Sequence, residues 1–292
     1  MTSPFTGYLR TTCRKMINET PIFQIRNLNC TYPQQKNGVV WIDNLDIPRG
    51  KLIVILGKSG SGKSTILETL GLMNQTMQVG SSILFSPDRE EEKYEYGEVW
   101  TAKTQKAIDH IRKEHFSFIF QSTNLMPNFT AYENVIMSLL IQGKSQEESM
   151  LLAHQVMDKV GMNEVDVRKK TFELSGGQKQ RLAFVRAIIR DFTVLFGDEP
   201  TGNLDEVNSR ELMAMLKENI QKGNRSAILV SHNIDLTVEF ADQILVLTKE
   251  KGFGEFLPGN TFFKSSLSGS DRWFDSGKDE IKDIHLKVRS LI

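Results

Sequence analysis

Residues 57–65 read Gly-Lys-Ser-Gly-Ser-Gly-Lys-Ser-Thr, and this stretch decides how the rest of the chain is interpreted. Its spacing, G-x-x-x-x-G-K-S, is typical of a phosphate-binding loop, in which glycines let backbone N–H groups approach phosphate oxygens. In such a loop the Lys63 ammonium reaches the β- and γ-phosphates, and the Ser64 hydroxyl ligates Mg²⁺. The whole stretch is therefore predicted to bind a nucleotide: Gly57, Lys58, Ser59, Gly60, Ser61, Gly62, Lys63, Ser64 and Thr65.

The segments on either side of the loop support this interpretation. Residues 51–56 form a short apolar run, which predicts a buried parallel strand. Residues 65–73 are apolar at helical spacing, so the loop would lead into a helix N-terminus, where the helix dipole favours anions. A chance glycine-rich turn is the competing interpretation, and it explains neither flank.

The composition limits the classes of protein to consider. The chain has 292 residues, enough for one large domain or two small ones, and 36 Lys and Arg balance 36 Asp and Glu. Zero net charge argues against non-specific nucleic-acid binding by the whole chain, and we expect no nucleic-acid partner. Cys13 and Cys30 have no metal-ligand spacing, so we expect unpaired thiols in a reducing compartment.

We expect neither a membrane span nor a signal peptide. No apolar run approaches the length that a bilayer requires, and residues 1–20 carry scattered charges without an apolar core. The expectation is a cytosolic protein that acts at a membrane only through a partner.

The remainder of the chain alternates predicted strands with predicted helices. This alternation predicts an α/β fold with a mainly parallel sheet and right-handed crossovers. Residues 21–32 and 39–47 predict an antiparallel β edge, and residues 122–173 predict an inserted α-helical subdomain. The other predicted strands are 80–85, 116–120, 193–197, 226–230 and 243–248, and the other predicted helices are 102–113, 175–190 and 208–221.

These predictions divide the chain into a lead-in at 1–20, a nucleotide-binding domain at 21–250 and an extension at 251–292. The helical subdomain takes up about 122–180 of the domain. The charged run at 88–93 is interpreted as a solvated loop.

The extension is predicted to be irregular at first and helical at its end. Its aromatic residues Phe262, Phe263, Trp273 and Phe274 lie among Gly and Ser. Residues 278–292 predict an amphipathic helix with an apolar face of Ile281, Ile284, Val288 and Leu291. We expect this helix to pack on its own domain, and contact with a partner or a second copy is the alternative.

Polar side chains follow several predicted strands. Asp198 and Glu199 follow one strand, Gln121 another and His232 a third. Because ligands bind at the carboxyl ends of parallel strands, these groups should surround the phosphate loop. Asp198 could hold Mg²⁺ through water, Glu199 could deprotonate the attacking water, and Gln121 could contact the metal or that water. His232 could donate to a γ-phosphate oxygen, and ordinary surface or structural roles are the alternatives.

A second glycine-rich stretch opens another predicted helix and is a second candidate anion site. It consists of Ser175, Gly176, Gly177 and Gln178. One active site does not need two phosphate-binding surfaces on separate segments. A head-to-tail dimer would use both surfaces, because each nucleotide would then lie between residues 57–65 of one copy and residues 175–178 of the other.

The ordered set of motifs resembles the nucleotide-binding subunit of ATP-binding cassette (ABC) transporters. The set comprises 57–65, Gln121, Leu-Ser-Gly-Gly-Gln at 174–178, Asp-Glu-Pro-Thr at 198–201, Asn-Leu-Asp at 203–205 and Ser-His at 231–232. Leu-Ser-Gly-Gly-Gln is that family's own signature, and the resemblance covers roughly 21–248. Within the family, residues 118–121, 124–127, 130–135 and 197–205 resemble the branch of lipoprotein-releasing, macrolide-exporting and cell-division ATPases.

The resemblance implies a role for each matching residue. Asp198, Ser64 and Gln121 serve the metal, Glu199 is the catalytic base, and His232 is the switch residue. Gln121 also couples the nucleotide to the permease, through a groove lined by residues 122–140.

It further implies contacts with the nucleotide from both copies. Tyr32, which could stack on a base or be an ordinary strand residue, matches the position that stacks on adenine. Ser175 and Gly177 close on the γ-phosphate of the opposing copy, and Asp205 links the two sites.

We therefore predict an ATPase that uses ATP and Mg²⁺, dimerises on ATP and drives a membrane permease from the cytoplasmic face of the inner membrane. The alternative is an ATPase that regulates a periplasmic envelope enzyme through its permease, without transported cargo. A soluble family member of DNA repair or ribosomes is a weaker rival, because the long coiled coils or paired cassettes of those proteins are not found. Residues 80–113 are longer and more charged than usual in the family, and residues 249–292 run past the last predicted strand.

Overall fold

The computed structural model describes residues 20–34, 38–87, 92–101, 105–249, 252–267 and 270–292. In chain order its strands are β1 Phe23–Cys30, β2 Val40–Ile47, β3 Leu52–Gly57, β4 Ser82–Phe85, β5 Tyr94–Glu95, β6 Phe116–Ile119, β7 Val194–Asp198, β8 Ser226–Val230, β9 Gln243–Leu247, β10 Gly254–Glu255, β11 Thr261–Leu267, β12 Ser270–Asp275 and β13 Glu280–Ile281. Its helices are α1 Lys63–Leu70, α2 Tyr96–Thr101, α3 Gln105–His115, α4 Ala131–Ile141, α5 Gln146–Lys159, α6 Glu164–Arg168, α7 Gly176–Ile188, α8 Glu206–Gly223, α9 Ile234–Phe240 and α10 Ile284–Arg289.

The main sheet has eight strands in the order β13-β12-β11-β9-β3-β8-β7-β6. Five of them, from β9 to β6, run parallel to their neighbours, which confirms the predicted α/β core. Residues 52–56 of the central strand β3 are all buried. A parallel strand that is covered on both faces requires apolar residues at every position, which is why this stretch reads as a continuous apolar run.

The two faces of the main sheet carry separate hydrophobic cores. Val54 and Leu56 of β3 face one core, which includes buried residues of α4, α5, α7 and α8. Ile53 and Ile55 face the other, which includes α1 and a second sheet. That second sheet has the order β10-β2-β1-β4-β5, and β1 pairs antiparallel with both β2 and β4. The predicted antiparallel β edge is therefore confirmed as a layer on one face of the parallel core.

The predicted helical insertion is present as α4, α5 and α6. Each helix begins at a side-chain cap: the Thr130 hydroxyl accepts from the Glu133 N–H, the Ser145 hydroxyl from the Glu148 N–H, and the Asn163 amide oxygen from two N–H groups. These caps satisfy N–H groups that a helix N-terminus leaves without partners. The insertion packs against α7, which opens at the Ser-Gly-Gly-Gln stretch.

The prediction of an irregular extension was wrong. β11 pairs antiparallel with β9, and β12 and β13 follow on, so the extension widens the main sheet by three strands. The edge of β9 supplies backbone donors and acceptors that no pattern inside the extension reveals. The final helix is confined to Ile284–Arg289, and Ile281 lies in β13 instead.

The extension does pack on its own domain, as expected. Phe262 and Val288 are fully buried, and Trp273 and Ile284 are nearly so, all within one core cluster with the domain. The short helix α9 was not predicted. Residues 88–91 of the charged run and the lead-in 1–19 lie outside the described residues.

Candidate active site

The phosphate loop leads from β3 into α1, as the motif predicts. Gly62 precedes α1 with φ 102°, and no side chain caps this helix, so its first N–H groups are left for an anion. A Cβ at Gly62 would lie 2.4 Å from Val40 Cγ2, and φ is in the left-handed region, so both contact and backbone favour glycine here. The Ser61 hydroxyl is buried without a hydrogen-bond partner. A loop with free N–H groups and an orphaned hydroxyl fits a phosphate ligand.

Lys63 lies inside this loop. Its ammonium donates to the carbonyl oxygens of Gly57, at 2.8 Å, and Lys58, at 2.9 Å. Burial lowers the pKa of Lys63 below its usual value, and the carboxylates of Glu199 and Asp198 act in the opposite direction. A cation that is partly removed from water gains more from a nearby phosphate than an exposed one would.

The structure brings together the predicted side chains at the carboxyl ends of the parallel strands. Ser64 Oγ donates to Asp198 Oδ2 at 2.8 Å. Gln121 Nε2 donates to Glu199 Oε2 at 3.3 Å, and His232 Nδ1 lies 3.2 Å from Glu199 Oε1. Residues from three different strand ends therefore meet beside the phosphate loop, as the strand order β3-β8-β7-β6 allows.

Glu199 is held in an unusual backbone conformation. Its φ is 49°, in the left-handed region that a non-glycine residue rarely adopts. Its N–H donates to Val230 O on β8 at 3.0 Å, and its carbonyl accepts from the Gly202 N–H at 3.1 Å. Strained residues concentrate at functional sites, and here the strain aims the carboxylate at Gln121 and His232.

Tyr32 and Asp205 occupy the margins of the site. The Tyr32 hydroxyl lies 3.2 Å from Thr65 Oγ1, so the aromatic ring adjoins the start of α1. Asp205 caps α8, because its carboxylate accepts from the Asn208 N–H at 2.9 Å. Hydrogen bonds from the Asn208 backbone and side chain lower the pKa of Asp205 below its usual value.

The Ser-Gly-Gly-Gln stretch forms a capped helix tip. Ser175 Oγ accepts from the Gln178 N–H at 3.2 Å, and Gln178 Oε1 accepts from the Ser175 N–H at 2.9 Å. This reciprocal pair is a capping box. Gly176 has open space around it, and a Cβ at Gly177 would meet Leu204 Cδ2 at 3.5 Å. Within the part of the chain that the structure describes, no hydrogen bond or ion pair joins this tip to the phosphate loop of the same copy.

Side chains of α7 that the sequence did not single out tie this helix to the site. Gln180 is fully buried, and its amide donates to Pro200 O, beside Glu199, at 2.6 Å. The Arg186 guanidinium donates to the carbonyl oxygens of Thr123 and Asn124, just after Gln121, at 2.8 and 2.7 Å. Polar residues on the otherwise apolar face of this helix could have indicated a role for Gln180 and Arg186. Their hydrogen-bond partners could not have been predicted, because these depend on the tertiary fold.

Fold and site together define a nucleoside triphosphatase with a phosphate loop and a capped, glycine-rich helix tip. The family model described as ABC transporter matches residues 42–202. The lipoprotein-releasing system ATP-binding protein LolD of Rickettsia conorii is 36% identical over 221 residues, which span 74% of this chain and 90% of that protein. LolD of Aquifex aeolicus is 34% identical over 212 residues, which span 73% of this chain and 88% of that protein.

Solved structures agree with these relatives. The dimeric, post-hydrolysis ATP-binding cassette MJ0796 bound to ADP and Pi superposes with a TM-score of 0.67 at 27% identity, over 80% of this chain and 96% of that one. The structure of cbiO1 from Clostridium perfringens, part of the ABC transporter complex cbiONQ, gives a TM-score of 0.65 at 25% identity, over 83% of this chain and 89% of that one.

The chain therefore belongs to the ABC transporter family, and it is the ATP-binding and ATP-hydrolysing subunit of a transporter. Among the described residues, no helix has the length and apolarity to cross a membrane.

Proposed function

We propose that two copies of this chain close head to tail around two ATP molecules, and that hydrolysis drives a membrane permease. The observation that carries the proposal is that two candidate anion-binding surfaces, the phosphate loop and the Ser175 helix tip, are not joined by any hydrogen bond between described residues of one copy. The dimeric form of the MJ0796 cassette bound to ADP and Pi supports the same pairing.

Each composite site would divide the chemistry among its side chains. The first N–H groups of α1 and the Lys63 ammonium would hold the β- and γ-phosphates. Water would attack the γ-phosphorus in line; its oxygen forms the new bond as the bond to the β-phosphate oxygen breaks, and its proton passes to Glu199. His232 and Gln121, at 3.2 and 3.3 Å from that carboxylate, would orient it. His232 and the partner's Ser175 would donate to γ-phosphate oxygens, where negative charge must be stabilised in the transition state.

Mg²⁺ is part of the proposal, because Ser64, Asp198 and Gln121 offer oxygen ligands of the kind that this ion prefers. The 2.8 Å separation of Ser64 Oγ and Asp198 Oδ2 fits a shared site. When bound, the ion would offset the negative charge on the phosphate oxygens. Among the described residues, no cluster of three or more His, Cys, Asp or Glu side chains that could hold a metal ion is found.

The permease would dock on the helical subdomain. Exposed large apolar side chains recur there: Met126, Leu140, Ile141, Met150, Leu151, Val165 and Phe172. Exposed apolar side chains that concentrate in one part of the surface favour a protein partner there. The relatives named as lipoprotein-releasing system ATP-binding proteins support a permease of such a system. The cassette would lie on the cytoplasmic face of the membrane.

Glu199→Gln tests the proposed catalytic base. Hydrolysis should fall at least about 100-fold, because a general base contributes roughly 10²–10⁴ to the rate. ATP affinity should persist, and a dimer should accumulate with ATP in size-exclusion chromatography. Glu211→Gln, an exposed change on α8, is the control. An ordinary turnover rate in Glu199→Gln would exclude this residue as the base.

A regulatory ATPase without transported cargo would have the same cassette. Purifying the complex in detergent would separate the two functions. An export permease should co-purify under the first proposal, and a permease bound to a periplasmic enzyme under the second.

A further inference from the structure

The strands β11, β12 and β13 and the helix α10 belong to the extension, residues 251–292, which lies beyond the family-matched range of 42–202. It packs against α9, the seven-residue helix that begins two residues after His232. The extension therefore contacts the segment that carries a predicted active-site histidine.

Apolar packing joins the two helices along their length. Ile284 is 7% exposed and Val288 is fully buried on α10, and Ile234 and Val238 of α9 pack on the same core cluster. This burial seats α10 on α9 as a fixed neighbour.

Charged groups of the extension contact both ends of α9. At its first turn, Asp235 Oδ1 lies 3.2 Å from His285 Nδ1 and 3.6 Å from a guanidinium nitrogen of Arg289. At its last turn, Lys264 Nζ donates to Glu239 O at 2.7 Å, and the Lys264 side chain is only 9% exposed. A cation at the C-terminal carbonyls complements the helix dipole, so the extension fixes α9 at both ends.

His232 lies two residues before α9, so the position of this helix bears on the position of His232. His232 is 69% exposed, so side-chain packing does little to fix it. Asn233, the next residue, caps α9 by accepting from the Leu236 N–H at 3.0 Å. A displacement of α9 would therefore move Asn233 and change the 3.2 Å distance between His232 and Glu199.

We propose that Lys264, His285 and Arg289 are positioning residues, which hold α9 so that His232 stays in register with Glu199. This rests on the proposed function, which gives His232 its role. The reaction is sensitive to such a displacement, because a misplacement of about 1 Å can cost up to 100-fold in rate. The extension thus adds to the cassette a support for its own catalytic geometry.

The test compares full-length variants by steady-state ATPase kinetics. The pair His285→Ala with Arg289→Ala should lower kcat about three- to tenfold, while KM for ATP stays within about twofold, because the phosphate loop is untouched. Lys264→Met keeps an unbranched apolar side chain but removes the donor to Glu239 O and the ammonium contacts with Asp271 and the Trp273 ring, and it should act in the same direction. Hydrogen exchange of the backbone amides at 232–240 should become faster in both variants.

Two controls separate positioning from general loss of structure. Arg272→Ala removes the exposed contact with Glu280, at 3.5 Å within the extension, and should leave kcat unchanged. The pair His285→Lys with Arg289→Lys places a nitrogen donor beside Asp235 at both positions and should retain kcat. Melting temperatures of the His285, Arg289 and Arg272 variants should agree with that of the wild type, because exposed ion pairs contribute little stability.

Three results would overturn the inference. One is a kcat for the alanine pair equal to that of Arg272→Ala, and another is a rise in KM together with a fall in the melting temperature of that pair. The third is an unchanged kcat in His232→Ala, which would overturn the role of His232 in the proposed function as well. If His232→Ala abolishes turnover and the alanine pair does not, only the positioning by the extension is wrong.

Discussion

At the scale of single residues, Lys63 shows how the fold prepares a phosphate site. Two loop carbonyls, Gly57 O and Lys58 O, hold its ammonium at 2.8 and 2.9 Å. Burial lowers its pKa, whereas Glu199 and Asp198 counteract this effect. The side chain is therefore fixed in the loop before any nucleotide contact, and less conformational entropy is lost when ATP binds.

Lys63→Ala should weaken ATP binding. Charge-assisted hydrogen bonds contribute about 1.5–3 kcal/mol, so the Kd should rise about 10- to 100-fold. Titration with fluorescently labelled ATP measures this change. Lys106→Ala, which alters an exposed lysine on α3, serves as the control and should bind normally. Unchanged affinity in Lys63→Ala would contradict the role given to this side chain.

Glu199 and its neighbours could be predicted from the sequence because parallel strands deliver polar residues to one edge. The left-handed φ of Glu199 could not, since it follows from the Val230 and Gly202 hydrogen bonds. Arg186 and Gln180 were also missed, because their partners are backbone carbonyls that only the tertiary fold brings near.

At the scale of elements, the Ser175 helix tip combines two properties. Its capping box satisfies the N-terminus of α7, and its hydroxyl is exposed on the surface where a partner's phosphate is proposed. Ser145 provides a comparison within the same chain, because it caps α5 by the same kind of bond at 3.1 Å.

Ser175→Ala and Ser145→Ala should have similar effects on stability and different effects on turnover. Each removes one N-cap, which costs about 1 kcal/mol in the free energy of unfolding by urea. Only Ser175→Ala should lower hydrolysis, by about tenfold or more, because only this hydroxyl is proposed to face a γ-phosphate. Equal ATPase rates in the two variants would restrict Ser175 to its structural role.

Elements of the core could be predicted more easily than those of the extension. β3, β7 and β8 are covered on both faces and therefore appear as continuous apolar runs. β11 reads Thr-Phe-Phe-Lys-Ser-Ser-Leu, without alternation, and it forms because β9 offers an edge. The pattern of apolar residues in a sequence predicts which residues of a strand are buried. It does not predict whether a strand distant in the chain, such as β9, has a free edge to pair with.

At the scale of the whole molecule, the proposed dimer gives each copy two half-sites. The phosphate loop has free helix N–H groups, and the Ser175 tip has an exposed hydroxyl, but no hydrogen bond between described residues joins them. A two-fold axis would place each half-site of one copy opposite the other half-site of its partner, which makes two equivalent sites. The activity of one site would then depend on residues from both chains.

This dependence predicts that two defective variants restore activity when mixed. A heterodimer of Lys63→Ala with Ser175→Ala has one site with both changes and one site with neither. Random exchange of subunits makes about half of the dimers heterodimers, and one of the two sites in each heterodimer is intact. Up to about a quarter of the wild-type ATPase rate should therefore return. The rate is measured by phosphate release, as the molar ratio is varied at constant total protein. Each variant mixed with wild type provides the reference. If the mixture never exceeds the mean of the two variants alone, both half-sites act within a single chain and the head-to-tail arrangement is wrong.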